Sequence, residues 1–335
     1  MLNKIKRFIA SEHLLRVDAL YLVALSGGAD SVALLLCLKE LGYRVEAVHC
    51  NFNLRGEESL RDEQFCEDLC QRENIPFHKV HFDTQAYADL HKVSIEMAAR
   101  ELRYRYFFQL KEALSADGIC VGHHKEDSVE TILINLVRGT GLSGLMGIRP
   151  RNNDVIRPLL CVTRQEIEDY LQKYAVSFVI DSTNLIDDVV RNKIRLNVLP
   201  LLSEINPSVT DAILTTANHL SEVDAIVQES LKEALGKAVS FINSATQVSS
   251  NSLSNEPFQL DLSIVRAFPS PSYLLFYILK PLGFSSSQIA EMVSHLDGQT
   301  GQLWYSSAHE VTHDRGVFMV LPREETEPRQ LVIPE

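Results

Sequence analysis

The chain has 335 residues, 45% of them hydrophobic and 23% charged, with a formal net charge of −12. That length exceeds one small core and suits two domains with a short third piece, and the composition is that of an ordinary globular protein. The negative balance argues against indiscriminate nucleic-acid binding, because phosphate affinity grows with the number of Lys and Arg contacts, yet it leaves room for a local basic surface. Two such surfaces stand out: Arg149, Arg151, Arg157 and Arg164 fall within sixteen residues, and "RNKIR" at 191–195 adds three cations; solvated faces are the plainer alternative for both.

The N-terminus "MLNKIKRFIASEHLLRVDAL" has basic residues but no uninterrupted apolar run, and no later run approaches the roughly 18 residues that a membrane span needs. A cytoplasmic protein without a membrane partner is therefore expected. Cys37, Cys50, Cys66, Cys70, Cys120 and Cys161 contain no C-x-x-C pair, and several lie inside apolar patterns, which predicts reduced thiols.

Short apolar runs at 20–25, 44–49, 77–82 and 118–122 alternate with helical patterns at 31–42, 59–74 and 95–114, the latter apolar at i, i+3, i+4. Strand and helix in strict alternation predict an α/β fold: a Rossmann-like parallel sheet with helices on both faces, whose ligands bind beyond the carboxyl ends of the strands. Thr163 with Glu166 is a capping-box pattern that opens a helix at "RQEIEDYLQKYA". After "DSTN" at 181–184 a helical region runs from about 188 to 238, and the Ser- and Asn-rich stretch 240–257 reads as a linker. "FQLDL" (258–262), two short helices, "QLWYS" (302–306) and "GVFMVL" (316–321) suggest a small α+β module. The resulting domain expectation is 1–205 catalytic, 206–240 helical connection, 241–257 linker and 258–335 C-terminal module, with no internal repeat.

Between the first strand and its helix lies Ser26-Gly27-Gly28-Ala29-Asp30-Ser31. A helix N-terminus has unpaired N–H groups and a partial positive charge, so a phosphate there is stabilised twice. Two glycines let the backbone curl and approach an anion, Ser26 and Ser31 add hydroxyls, and Asp30 would repel a phosphate unless a cation such as Mg²⁺ lay between them. An ordinary turn with Asp or Ser as N-cap is the alternative. No Walker A sequence occurs, and "GTGLSG" at 139–144 follows a helical pattern instead of a strand, which excludes it as a dinucleotide fingerprint. His123 and His124 are adjacent, without H-E-x-x-H spacing or a thiolate pair, so a zinc site is not expected.

The loop resembles the PP-loop, S-G-G-x-D-S, of the N-type ATP pyrophosphatases, which cleave ATP between its α- and β-phosphates to activate a carbonyl oxygen for a nitrogen or sulfur nucleophile. Four more stretches, "HCNFNLRGEESLRDEQFCEDLC" (49–70), "EMAARELRYRYF" (96–107), "GHHKEDSVETILINLVRGTGLSGL" (122–145) and "IRPLLCVTRQEI" leading to "DSTN...RNKIR" (156–195), stand in order with it. Together they closely resemble the tRNA(Ile)-lysidine synthetase family over roughly residues 20–205. The resemblance implies an ATP- and Mg²⁺-dependent ligase that attaches free L-lysine to C2 of the wobble cytidine of an isoleucine tRNA with a CAU anticodon. It would proceed through an adenylated cytidine and release AMP and pyrophosphate. A homodimer is carried as an open possibility for its assembly.

On a helix beginning near His124, positions 123, 127 and 130 share a face. The resemblance assigns Asp127 and Glu130 to lysine recognition, one of them taking a proton from the attacking amine; complementing the helix dipole is the alternative reading. It places ATP on Ser26 to Ser31, with Asp30 toward Mg²⁺. It counts Asp30, Arg100, His123, Asp127 and Arg191 as catalytic, and Arg103, Arg138, Arg164 and Arg195 as contacts to phosphate or RNA. Two departures matter. Phe52-Asn53 stands where relatives often have His-Gly, so no catalytic role is assigned there, and "RNKIR" replaces a more usual "RNRIR". The alternatives are another PP-loop RNA-modifying enzyme, such as a tRNA thiolase, or a nucleotide-binding module without catalysis.

Overall fold

The structure, a computed structural model, describes residues 1–179, 190–242, 253, 256–298 and 300–323. "DSTN" and most of the 241–257 stretch lie outside the described residues. Compactness divides the chain between Ser221 and Glu222. The sequence-based boundaries stood at 205, 240 and 257; the division falls instead within one uninterrupted helix, which no Gly or Pro breaks until Gly236 near its end.

In the first unit the strands are β1 (Leu20–Ala24), β2 (Arg44–Asn51), β3 (Phe77–His81), β4 (Gly118–Cys120), β5 (Arg151–Asn152) and β6 (Val155–Ile156). They form one sheet in the order β3-β2-β1-β4-β6-β5, parallel throughout except for the β5–β6 pair. Successive strand residues point to opposite faces, and here both faces are covered. Tyr21 and Val23 join the core containing Leu34, Leu35, Leu38, Ile167 and Leu171, whereas Leu22 joins Val48, Ile119 and Phe107 on the other side.

The crossovers are α2 (Ala29–Glu40), α3 (Glu57–Arg72) and, after the short α4 (Thr84–His91), α5 (Ile95–Ala113). Helix α2 buries nine consecutive residues apart from Asp30, as expected of a helix that is apolar almost all round and packed between the sheet and another helix. That neighbour is α8 (Arg164–Lys173), which begins with the anticipated capping box: the Thr163 hydroxyl accepts from the Glu166 N–H, and the Glu166 carboxylate from the Thr163 N–H. Between them in sequence lie α6 (Lys125–Arg138) and the single turn α7 (Leu142–Leu145). After the undescribed 180–189, α9 (Val190–Lys193), a π-helical segment (Ile194–Val198) and α10 (Leu199–Ile205) lead to α11 (Val209–Ala238).

The second unit holds a five-stranded antiparallel sheet in the order β7-β8-β11-β10-β9, made of β7 (Val239–Phe241), β8 (Phe258–Asp261), β9 (Leu303–Tyr305), β10 (His309–Asp314) and β11 (Val317–Pro322). Two of these strands escape the sequence reading. β7 begins the stretch taken for a linker, and β10 buries His309, Val311 and His313 on alternate positions that hydropathy alone does not mark as a core face. Helices α12 (Leu262–Ala267), α13 (Pro271–Leu279) and α14 (Ser286–Ser294) complete an apolar core around Phe258, Leu274, Ile278, Phe284 and Phe318. A cavity of about 270 Å³ is lined by Tyr273, Phe276, Tyr277 and Lys280 among aliphatic groups.

Candidate active site

The strand order reverses between β1 and β4, which opens a crevice at their carboxyl ends. Two helix N-termini border that crevice, α2 after β1 and α6 after β4. Their connecting loops touch: a Cβ on Gly122 would meet Asp30 C at 3.0 Å and Ser31 N at 3.1 Å, so only glycine permits this approach.

The N-cap of α2 is Gly28, which has no capping side chain; Ser26 Oγ accepts from Gly28 N at 3.4 Å, and Asp30 does not cap the helix. The loop is held from within. Ser31 Oγ donates to Gly28 O at 2.9 Å, accepts from Ser26 N at 3.2 Å and lies 3.1 Å from Ser26 Oγ. Gly27 turns the chain at φ +90, where an L side chain is strained, and its carbonyl accepts from Val179 N at 2.9 Å. The result is an N-terminus with uncommitted donors, suited to an anion.

Asp30 points from the first turn of α2 into the crevice, where Arg164 Nη1 meets both of its oxygens at 2.9 and 2.8 Å. Burial raises its carboxyl above the usual range, against the pull of His124 and Arg164. His124 is the N-cap of α6 and only 3% exposed; its Nε2 lies 3.5 Å from Asp127 and 3.9 Å from Asp30. On its other side Nδ1 is 2.8 Å from Glu126, whose carboxylate also accepts from Arg164 N. Burial opposes protonation of His124, but Glu126, Asp127 and Asp30 together hold its pKa above the ordinary value. The sequence reading weighed His124 only as a metal ligand, and gave Glu126 no role. The doubled histidine was the available signal, and both rings are used, for different purposes.

His123 faces the other way. Arg157 Nε donates to its Nδ1 at 3.3 Å, and burial lowers its pKa to about 4, so the ring is neutral at physiological pH and Nε2 carries the proton.

Asp127 and Glu130 lie in the first two turns of α6. Asp127 does complement the helix end, accepting from His124 N at 2.9 Å. It is also 3.3 Å from Arg195 Nη2 and 3.6 Å from Arg191 Nη1. Glu130, fully buried, accepts from Arg195 Nε at 2.6 Å and Nη2 at 3.1 Å, and from Arg191 Nη1 at 3.5 Å. The two carboxylates face two guanidiniums from the α9 and π-helical segments, an arrangement in which irregular helix geometry aims a functional side chain.

The remaining candidates are more scattered. Arg100 stacks over Tyr104 at 5.0 Å and Arg103 over Phe52 at 5.2 Å, both on the exposed side of α5. Asn53 takes φ +52, a left-handed conformation that explains why asparagine can follow where relatives often have glycine. Arg138 ends α6, exposed and about 16 Å along the helix from Asp127, so it does not join the cluster.

A divalent cation has a limited donor set here. No group of three or more potential ligands occurs among the described residues. Asp30, with Asp127 nearby, is the kind of carboxylate set that a Mg²⁺ carried on phosphates would use beside its waters, although Arg164 occupies both Asp30 oxygens in this structure. The six cysteines are free, and burial pushes the thiols of Cys37, Cys50 and Cys70 up to about 12 and Cys161 to about 11. Cys66 and Cys120 are also raised by burial, which leaves no accessible thiolate for sulfur chemistry.

Comparison with known proteins gives this geometry a context. Residues 1–202 match the model of the PP-loop domain, and residues 253–323 match the TilS substrate binding domain. The tRNA(Ile)-lysidine synthase of Bacteroides thetaiotaomicron is 47% identical over 334 residues, covering 98% of this chain and 75% of that protein. The chain belongs to the tRNA(Ile)-lysidine synthase family. The enzyme of the same name from Parabacteroides distasonis is 44% identical, covering 99% of this chain and 73% of its own length. Among solved structures, the U34-tRNA thiolase NcsA from Methanococcus maripaludis, with its [4Fe-4S] cluster, aligns at a TM-score of 0.55 and 16% identity over 66% of this chain and 78% of its own. That likeness concerns the fold alone. Among the described residues, no helix is long and apolar enough to cross a membrane.

Proposed function

We propose that this member of the lysidine synthase family ligates free L-lysine to C2 of the wobble cytidine of an isoleucine tRNA with a CAU anticodon. The observation that carries the reading is the meeting of an uncapped helix N-terminus after β1 with paired carboxylates on the first turns of α6, at one crevice of a family member. ATP supplies the activated leaving group, and Mg²⁺ bound on its phosphates supplies charge neutralisation.

The chain's own residues do the rest. The N–H groups of residues 29–31 and the two serine hydroxyls hold the phosphates, and the curled Gly27-Gly28 backbone lets them approach. Asp30, paired with Arg164 in this structure, would hold the cation when it is bound, and Arg164 would then be available to the phosphates. Neutral His123 presents a donor Nε2–H without adding charge. Asp127 and Glu130 receive the ammonium groups of lysine as Arg191 and Arg195 give way, and one of the two takes the proton from the attacking ε-amine. Held in place, an unstacked cytosine needs little more than orientation and an electrostatic environment fitted to the developing charge.

Labelled lysine transfer, with pyrophosphate release, tests the reading. Isoleucine tRNA with a CAU anticodon should accept lysine, and methionine tRNA with the same anticodon should not. Pyrophosphate release without lysine transfer to either would overturn lysine as the nucleophile.

A further inference from the structure

One group of cations at this crevice is not used by the scheme above. Arg157 follows β6, with Nε on His123 and Nη1 donating to Arg149 O at 2.9 Å. No carboxylate among the described residues pairs with Arg157, Arg149 or Arg100, even though the chain as a whole is acidic. The three are linked. Arg100 stacks on Tyr104, and burial, with Arg100 adding repulsion, holds the Arg157 guanidinium below its usual range while Tyr104 works in the opposite sense. Arg100 and Arg149 are exposed, and Arg157 is half-buried.

An unneutralised guanidinium held by two hydrogen bonds, with exposed cations and an aromatic ring beside it, is arranged for an anion that is absent from the protein itself. Because Arg157 touches His123 in the crevice while Arg100 and Arg149 are exposed, a polymer fits the group better than a small free anion, and the Tyr104 ring adds a stacking face of the kind that single-stranded nucleic acids use. We infer that Arg157, Arg149, Arg100 and Tyr104 form a seat for a backbone phosphodiester of the RNA loop whose base enters the crevice. The inference rests on the RNA-ligase reading and deepens it: Arg157 holds the strand and, through Nε, keeps His123 oriented toward the same strand.

The test uses the full chain and an isoleucine tRNA transcript with a CAU anticodon. RNA binding is measured without ATP or lysine between about 50 and 200 mM salt, and the ATP affinity and the KM for lysine are measured separately. Arg157→Gln should weaken RNA binding about tenfold and flatten the plot of log affinity against log salt by about one unit, with ATP affinity unchanged. Arg149→Gln, at an exposed side chain whose loss leaves the fold intact, should move RNA binding in the same direction by a smaller factor. RNA binding equal to wild type in both variants, while wild type transfers lysine, overturns the seat alone. A loss confined to ATP affinity assigns these arginines to the nucleotide, and a loss confined to the lysine KM assigns them to the amino-acid carboxylate; either result also overturns it. Wild-type protein that neither binds the RNA nor transfers lysine removes the functional reading and the seat together.

Discussion

On the α6 side of His123, the buried Asp127 and Glu130 face the partly exposed Arg191 and Arg195, two negative charges against two positive. On the β6 side, Arg157 has a histidine and a carbonyl for partners, with Arg100 for a charged neighbour. A balanced group attracts an ion only by exchange, so a cation arriving at Asp127 and Glu130 has to replace a guanidinium that is already hydrogen-bonded. An unbalanced group gains by simple addition. On the proposed reading the crevice would take the ammonium by exchange and the phosphate by addition.

Substitutions that remove charge from one side or the other sharpen this contrast. The largest effect is expected outside both groups, at the residue on which the chemistry converges: Asp30→Ala should lower pyrophosphate release about a hundred- to a thousandfold while tRNA binding persists. Comparable release by the variant would place the cation elsewhere. On the balanced side, Glu130→Gln leaves Arg195 facing one charge instead of two, and should cost about 2–3 kcal/mol of stability, less than a fully buried pair because Arg195 is 35% exposed. Chemical denaturation measures it, and a change below about 0.5 kcal/mol would mean that the quartet is not a structural unit.

Gly27→Ala should cost about 1–2 kcal/mol, since the left-handed φ of +90 strains any side chain and a Cβ would sit 3.2 Å from Val179 Cγ2. ATP affinity should fall with it; unchanged melting and affinity would indicate that the loop relaxes freely. The last effect is a pH dependence. His123 has a folded pKa of about 4 against an ordinary 6.5, so the unfolded chain takes up the proton first as pH falls. The contribution of the neutral ring is therefore complete above pH 6.5 and is lost as pH falls toward 4. The slope of stability against pH in that window should shrink in His123→Asn, and an unchanged slope would assign it to other groups.

Much of this was legible from local sequence. The four principal parallel strands, the crossovers, the phosphate loop and the capping box at Thr163 all declare themselves within a few residues, because periodicity and capping are short-range properties. Pairings over long separations were not legible. Arg164 reaches Asp30 across 134 positions and Arg195 reaches Glu130 across 65, and no local pattern encodes which cation will meet which carboxylate. The two histidines at 123 and 124 illustrate the same limit. Their identity was plain, but burial, helped by Arg157, lowers the pKa of one, while three carboxylates outweigh burial and raise that of the other. Strand β10 was missed for a related reason, since its inward positions include two histidines that become buried only when β9 and β11 flank it.

The most direct test of the whole account is transfer of labelled lysine to isoleucine tRNA with a CAU anticodon, scored beside methionine tRNA and beside the Asp30→Ala variant. The account predicts incorporation into the isoleucine tRNA alone, matched by pyrophosphate release and lost in the variant. Absence of incorporation by the wild-type chain with ATP and Mg²⁺ present, or equal incorporation into both tRNAs, would contradict it.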